Sequence, residues 1–193
     1  MKSTLLRIAL VLGALVGTAA MAAPKSSGYL EAFANSPVPV AGQDYYLRHC
    51  IWYEDGESSG TNYARGTLVA INTKVKLLSL DGKNIVLQAD GMTVKVKNVP
   101  DYTKKDTAAL AQRLLGAEPV SFDGFDEATV AAIKAGKMKR GMTKEQVLMA
   151  RGYPPAHKTP TLQSDRWMYW PSRFVIQTIV FADGVLTAGR GVE

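Results

Sequence analysis

The side chains best suited to nucleophilic or metal chemistry in this sequence are His49, Cys50 and His157, its only histidines and its only cysteine. A metal site needs His, Cys, Asp or Glu side chains that converge on one point. His49 and Cys50 are neighbours in a stretch that reads as a strand, so they face opposite sides of it and do not share an ion. His157 follows Pro154-Pro155 in a loop and has no companion at ligand spacing. No metal and no other cofactor is expected. A cysteine hydrolase would need Cys50 as nucleophile and His157 as base. No elbow glycines flank Cys50, and a cysteine in an apolar strand is more often a small buried residue than a reactive thiol. Asp123, Asp126 and Glu127 gather three carboxylates, but at a helix start they favour the positive end of the helix dipole. No phosphate-cradling glycine loop occurs. The sequence reads as that of a protein that is not an enzyme.

Residues suited to binding are more plentiful. Lys134, Lys137, Lys139, Arg140 and Lys144 fall within one short stretch, KAGKMKRGMTK, that leads into a helix N-terminus. They are candidates for contact with anionic lipid or peptidoglycan, although an exposed charge run is more often a solvated connector. Trp167, Tyr169 and Trp170 form an aromatic set. At strand spacing Trp167 and Tyr169 share one face, suited to core packing, and Trp170 faces the other way. Trp170, followed by Pro171 and flanked by Arg166 and Arg173, is the better interface residue, because Trp and Arg dominate binding hot spots. Tyr63, beyond the Gly60-Thr61 loop, is a further partner-binding candidate.

These residues need elements to position them. Tyr45 to Tyr53 is aromatic and apolar and reads as a strand. Glu54 to Gly60 reads as a polar loop. From Thr67 to Leu78 the period is two, with Val69, Ile71, Val75 and Leu77 on one face and Asn72, Lys74 and Lys76 on the other. Two further strands follow, around Ile85 to Ala89 and Met92 to Val96, joined through Asp81-Gly82 and Asp90-Gly91. The pattern is an antiparallel meander or, with the Tyr45 strand added, a small SH3-like barrel. Past Pro100, helices are expected over Lys104 to Leu115, Asp123 to Lys134 and from Thr143. The last opens on a capping box, Thr143 to Gln146, and ends at Gly152. Strands return at Arg166 to Trp170, Phe174 to Ala182 and Val185 to Arg190. The fold class is α+β, with helices on one face of the last sheet.

The N-terminus carries an address. Lys2 and Arg7 precede the apolar run Leu5 to Val16, and Ala20-Met21-Ala22 supplies the small-x-small pattern of a secretory cleavage site. Residues 1–22 therefore read as a signal peptide cut between Ala22 and Ala23, residues 23–42 as a flexible leader, 43–100 as the β-rich segment, and 101–193 as a helical connector and α+β domain. Removing the first 22 residues takes Lys2 and Arg7 away and leaves +4 from the formal net charge of +6. This modest basic excess suits anionic surfaces. Nucleic acid, which an exported protein rarely meets, is not an expected partner. No cysteine follows the cleavage site, so no lipid anchor is expected, and the location is periplasmic.

The stretch from about Thr129 to Arg190 resembles the BamE-like family, also called SmpA/OmlA. The resemblance rests on Ile133 at a helix end, Gly141-Met142-Thr143 with Val147, the Gly152-Tyr153-Pro154 exit, Trp167-Met168-Tyr169, and Val180-Phe181 before Asp183-Gly184. Their order and spacing carry it. The resemblance implies an ααβββ two-layer sandwich and a binding or scaffold role in outer-membrane protein assembly. Typical members are lipoproteins, which this chain is not expected to be, and the segment from Gln43 to Val99 is additional. The expected function is a non-catalytic periplasmic binding or scaffold protein with envelope-protein partners, outer-membrane assembly machinery among them. A peptidoglycan-binding module and an inhibitor of a secreted enzyme are the alternatives.

Overall fold

The computed structural model of the chain describes Phe33 and residues 36–193. The proposed signal peptide lies outside the described residues, as does most of the leader. The chain is an α+β protein. Among the described residues, no helix is long and apolar enough to cross a membrane.

The expected meander is present as β5 (Lys74–Leu80), β6 (Asn84–Ala89) and β7 (Met92–Lys97). Register aligns the inward residues of neighbouring strands. Val75 stands opposite Ala89, Leu77 opposite Leu87, and Ile85 opposite Val96. All six are buried, and each of the valines, leucines and the isoleucine so placed contributes about 1.5–3 kcal/mol. The two Asp-Gly pairs turn differently. Asp90 and Gly91 both adopt positive φ, 46° and 79°, as a tight two-residue turn requires. The Asp81 loop instead runs three residues, because the Asp81 carboxylate accepts from the Lys83 and Asn84 amides at 2.7 Å.

Two expected strands are each cut in two. Tyr45 to Tyr53 divides into β1 (Asp44–Leu47) and β2 (Ile51–Tyr53), in different sheets. Between them the Arg48 and Cys50 amides leave the ladder and donate to Leu114 O and Met149 O. Thr67 to Leu78 divides into β4 (Thr67–Val69) and β5. The break centres on Asn72, at φ 65°, whose side chain pairs with both backbone groups of Val120 at 2.7 and 2.8 Å. The expected polar loop holds β3 (Glu57–Ser59), which pairs in parallel with β7. The resulting sheet has the order β3-β7-β6-β5-β1-β8, with β8 at Leu115–Gly116, and β2 pairs with β4 separately.

After β7 come α1 (Pro100–Thr103) and α2 (Thr107–Leu114), the second capped by Asp106 and shorter than expected. Helix α3 (Glu127–Lys134) starts at its Asp126 cap rather than at Asp123. Helix α4 (Lys144–Arg151) opens on the expected capping box. Gln146 N donates to Thr143 Oγ1, and Thr143 N donates to Gln146 Oε1 at 2.8 Å. These two helices face β9 (Arg166–Ser172), β10 (Val175–Ala182) and β11 (Val185–Gly189), ordered β11-β10-β9. Asp183-Gly184 makes a second tight turn with both residues at positive φ.

Core packing crosses residue 100 in both directions. Leu110, Ala111 and Leu114 of α2 complete the core beneath the β-rich sheet. Cys50, Trp52 and Ile71 from the β-rich half enter the core of the helices and the last sheet. Trp52 lies against Gly136, where a Cβ would come within 2.4 Å of its ring. The described end of the leader is held as well. Arg48 stacks on Phe33 at 3.6 Å and donates to Ser36, and Val40 N donates to the Tyr45 hydroxyl at 2.7 Å.

Candidate functional site

A cleft forms where the two halves meet, and a polar knot holds the loop that carries Thr61 and Tyr63 of its lining. Asn62, in a left-handed conformation, donates through Nδ2 to Cys50 O at 2.9 Å and to Arg151 O at 2.7 Å. One amide thereby ties the loop after β3 to the last residue of α4. Gly152 ends that helix at φ 71°, and a Cβ there would lie 2.8 Å from both Asn62 Nδ2 and His49 Nδ1. The Tyr169 hydroxyl donates to Gly152 O at 2.9 Å, which anchors β9 to the same point. Burial pushes the Tyr169 phenol well above its usual range, so it remains a donor. Beyond Gly152, Pro154-Pro155 prevent further helix and lead the chain back toward α1, where His157 N donates to Tyr102 O at 3.2 Å.

The cleft that results has a volume of about 140 Å³. Tyr63, Trp170 and Arg173 line it together with Thr61, Tyr102 and His157. Three of the four residues read from sequence as partner-binding are thus brought together. Arg166 is not among them. It shares an outward face with Trp170 but sits four residues earlier on β9, roughly 13 Å away along an extended strand. Trp167 and Tyr169 point inward and are 0% and 1% exposed, with Trp167 stacked on Phe181 at 4.7 Å. The His157 imidazole lies between Tyr102, 4.8 Å away, and Trp170, 5.2 Å away. Its Nδ1 is buried without a hydrogen-bond partner, so stacking rather than a bond through that atom holds the ring.

Among the described residues, no acidic side chain lines this compartment. Arg173 is its charged residue, exposed, with its guanidinium 4.9 Å from the Phe174 ring, and among the described residues it has no carboxylate partner. Tyr63 and Arg173 also border a second compartment of about 220 Å³, with Trp52, Ser59, Ser172 and the Glu54–Arg65 pair on its walls. Glu57, which also borders it, is held below the usual carboxylate range by hydrogen bonds from Lys95 and Lys97.

The other candidates lie elsewhere. Cys50 is fully buried, its thiol donating to Ile133 O at 3.2 Å and accepting from Ile71 N at 3.3 Å. Burial pushes the thiol up to about 11. Cys50 and His157 are therefore separate, one in a core and the other on the surface. His49 is buried on the opposite side of the chain from Cys50, and burial pulls its imidazole down to about 4. Among the described residues, no cluster of His, Cys, Asp and Glu could hold a metal. Asp126 is engaged as a helix cap, accepting from the Thr129 amide and hydroxyl.

The basic run is partly occupied within the chain. Lys137 pairs with Glu193 at 2.9 Å, and Lys144 pairs with Asp165 at 3.1 Å and lies over the Phe181 ring. Lys134 lies 5.5 Å from the Phe122 ring centroid. Lys139 and Arg140 form no ion pair among the described residues.

Sequence reasoning missed Tyr102 and set His157 aside as an isolated loop residue. The Pro154-Pro155 break was the available signal that the loop doubles back. That it returns onto α1 depends on tertiary packing. No family model matches this chain, and no curated protein or solved structure is significantly similar to it.

Proposed function

We propose that this is an exported, non-catalytic binding protein of the cell envelope, which holds its partner in the cleft formed by Tyr63, Trp170 and Arg173. The observation that carries the reading is the convergence of Tyr63 with Trp170 and Arg173, from the two halves of the sequence, around one open cleft with Tyr102 and His157. Aromatic rings and an unpaired guanidinium in a concave surface are the groups that dominate binding hot spots. The basic N-terminal residues, apolar run and Ala20-Met21-Ala22 support export. The helix, helix, three-strand order of residues 127–189 supports the BamE-like resemblance, and with it a role beside outer-membrane assembly proteins. The meander over residues 74–97 supports the SH3-like reading of the first half. Fold likeness alone does not name the partner, so the cleft must.

Photo-crosslinking in cells tests the proposal. A photoreactive residue replaces Tyr63 or Trp170, and a control replaces exposed Lys83. The expected result is an adduct, either with an envelope protein or with material that sediments with the wall, from both cleft positions and not from the control. Equal adducts from all three positions, or none from the cleft, would remove the cleft as the partner site.

A further inference from the structure

We infer that the cleft binds a carboxylate-bearing sugar unit of an acidic glycan strand, with the neighbouring sugar in the adjoining compartment. The inference rests on the cleft being the partner site. The first compartment offers ring surfaces from Tyr63, Tyr102 and Trp170, the unpaired Arg173, and the Thr61 hydroxyl. A pyranose ring has an apolar C–H face that packs on an aromatic ring and a rim of hydroxyls that seek polar partners. A carboxylate on that ring would meet a guanidinium that forms no ion pair among the described residues, since Glu54 and Glu57 of the adjoining compartment are already engaged by Arg65 and by Lys95 and Lys97, and Arg–carboxylate pairing is a strong, geometrically specific contact.

The second compartment separates the glycan from a proline-rich peptide, the other ligand that aromatic grooves accept. Such a peptide needs successive aromatic ridges. Beyond the shared Tyr63 and Arg173, the second compartment has Trp52, 9% exposed, as its aromatic residue and is otherwise built from Ser59, Ser172, Glu54, Glu57 and Arg65. Hydroxyls and an ion pair suit the polar rim of a second sugar. Together the two compartments reach the lower end of the roughly 300–1,000 Å³ typical of small-ligand sites.

Calorimetric titration of the purified protein with four probes tests this. The probes are the disaccharide of N-acetylglucosamine and N-acetylmuramic acid, its methyl ester, chitobiose, and a proline-rich peptide. The acidic disaccharide is expected to bind, and esterification to weaken binding about tenfold or more, as loss of a charge-assisted hydrogen bond does. Arg173→Gln, at an exposed position, should erase the difference between acid and ester. Trp170→Leu should abolish binding while the thermal midpoint stays within a few degrees. Equal binding of acid and ester, or binding of the peptide instead, overturns the inference. So does failure of every sugar while Tyr63 still crosslinks to an envelope protein, an outcome that leaves the cleft as the partner site with a polypeptide in it.

Discussion

The two cores of this molecule are built from different side chains. Beneath the six-stranded sheet every buried contributor is aliphatic, from Leu47 to Leu115. The core between the last sheet and its helices instead holds Trp52, Trp167, Tyr169 and Phe181, three methionines and Cys50. The first is a repetitive surface in which register places like against like. The second is irregular, and methionine adapts to the gaps that large rings leave. Rings with polar tips also bring polar atoms inside, which must find partners, as the Tyr169 hydroxyl does at Gly152. Arg151 is the extreme case. It is 6% exposed, its guanidinium lies 4.9 Å from the Trp52 ring and 5.6 Å from the Tyr169 ring, and its Nε has no hydrogen-bond partner. Its place at the C-terminus of α4 offsets part of the desolvation cost, and burial lowers its proton affinity. The regular core acts as a scaffold, and the irregular one carries the polar knot that shapes the cleft.

If the cores are interlocked as packed, damage to either should unfold both. Trp167→Ala should cost about 3–5 kcal/mol and Leu87→Ala about 2–5 kcal/mol. Each should lower one common transition, followed by tryptophan fluorescence and far-ultraviolet circular dichroism. Two separated transitions would show that the cores are independent units.

His49 supplies the next effect. Its folded-state value of about 4 lies below the ordinary 6.5, so the unfolded chain binds the extra proton first. Stability should be full above pH 6.5, fall between pH 6.5 and 4, and level off below that as far as this group is concerned. The loss amounts to about 3 kcal/mol. Urea midpoints at pH 7, 5.5 and 4 check it, and His49→Gln should flatten that window. An unchanged slope in the variant would place the sensitivity elsewhere.

Asn62→Ala removes donors from two carbonyls at once and should cost about 1–3 kcal/mol. Unlike a core substitution of equal cost, it should also reduce crosslinking from Tyr63. Retained crosslinking would mean that the knot does not position the loop. The smallest effect is expected at Lys137→Ala, about 0–1 kcal/mol, because its pair with Glu193 is exposed on both sides.

The regular core was legible in the sequence because a strand repeats every two residues. Val75, Leu77, Ile85, Leu87, Val94 and Val96 declared themselves by alternation, and the helix starting at Thr143 by its capping box. The same alternation misled at Val69 and Ile71, which sit two residues apart on a common expected face yet enter different cores. The break between β4 and β5 centres on Asn72 meeting Val120, a contact across 48 positions that no local pattern encodes. The cleft was legible in the same partial way. Trp170, Arg173 and Tyr63 stood out by type and surroundings, whereas Tyr102 and His157 acquire their role only when a proline-directed loop folds back on α1.

Cys50 gives the molecule an internal clock. Its thiol is enclosed by residues of both halves and held in the unreactive protonated form, so a maleimide can label it only during excursions that expose the irregular core. The labelling half-life, compared between free protein and protein saturated with ligand, converts each occupancy of the cleft into a measured slowing of those excursions.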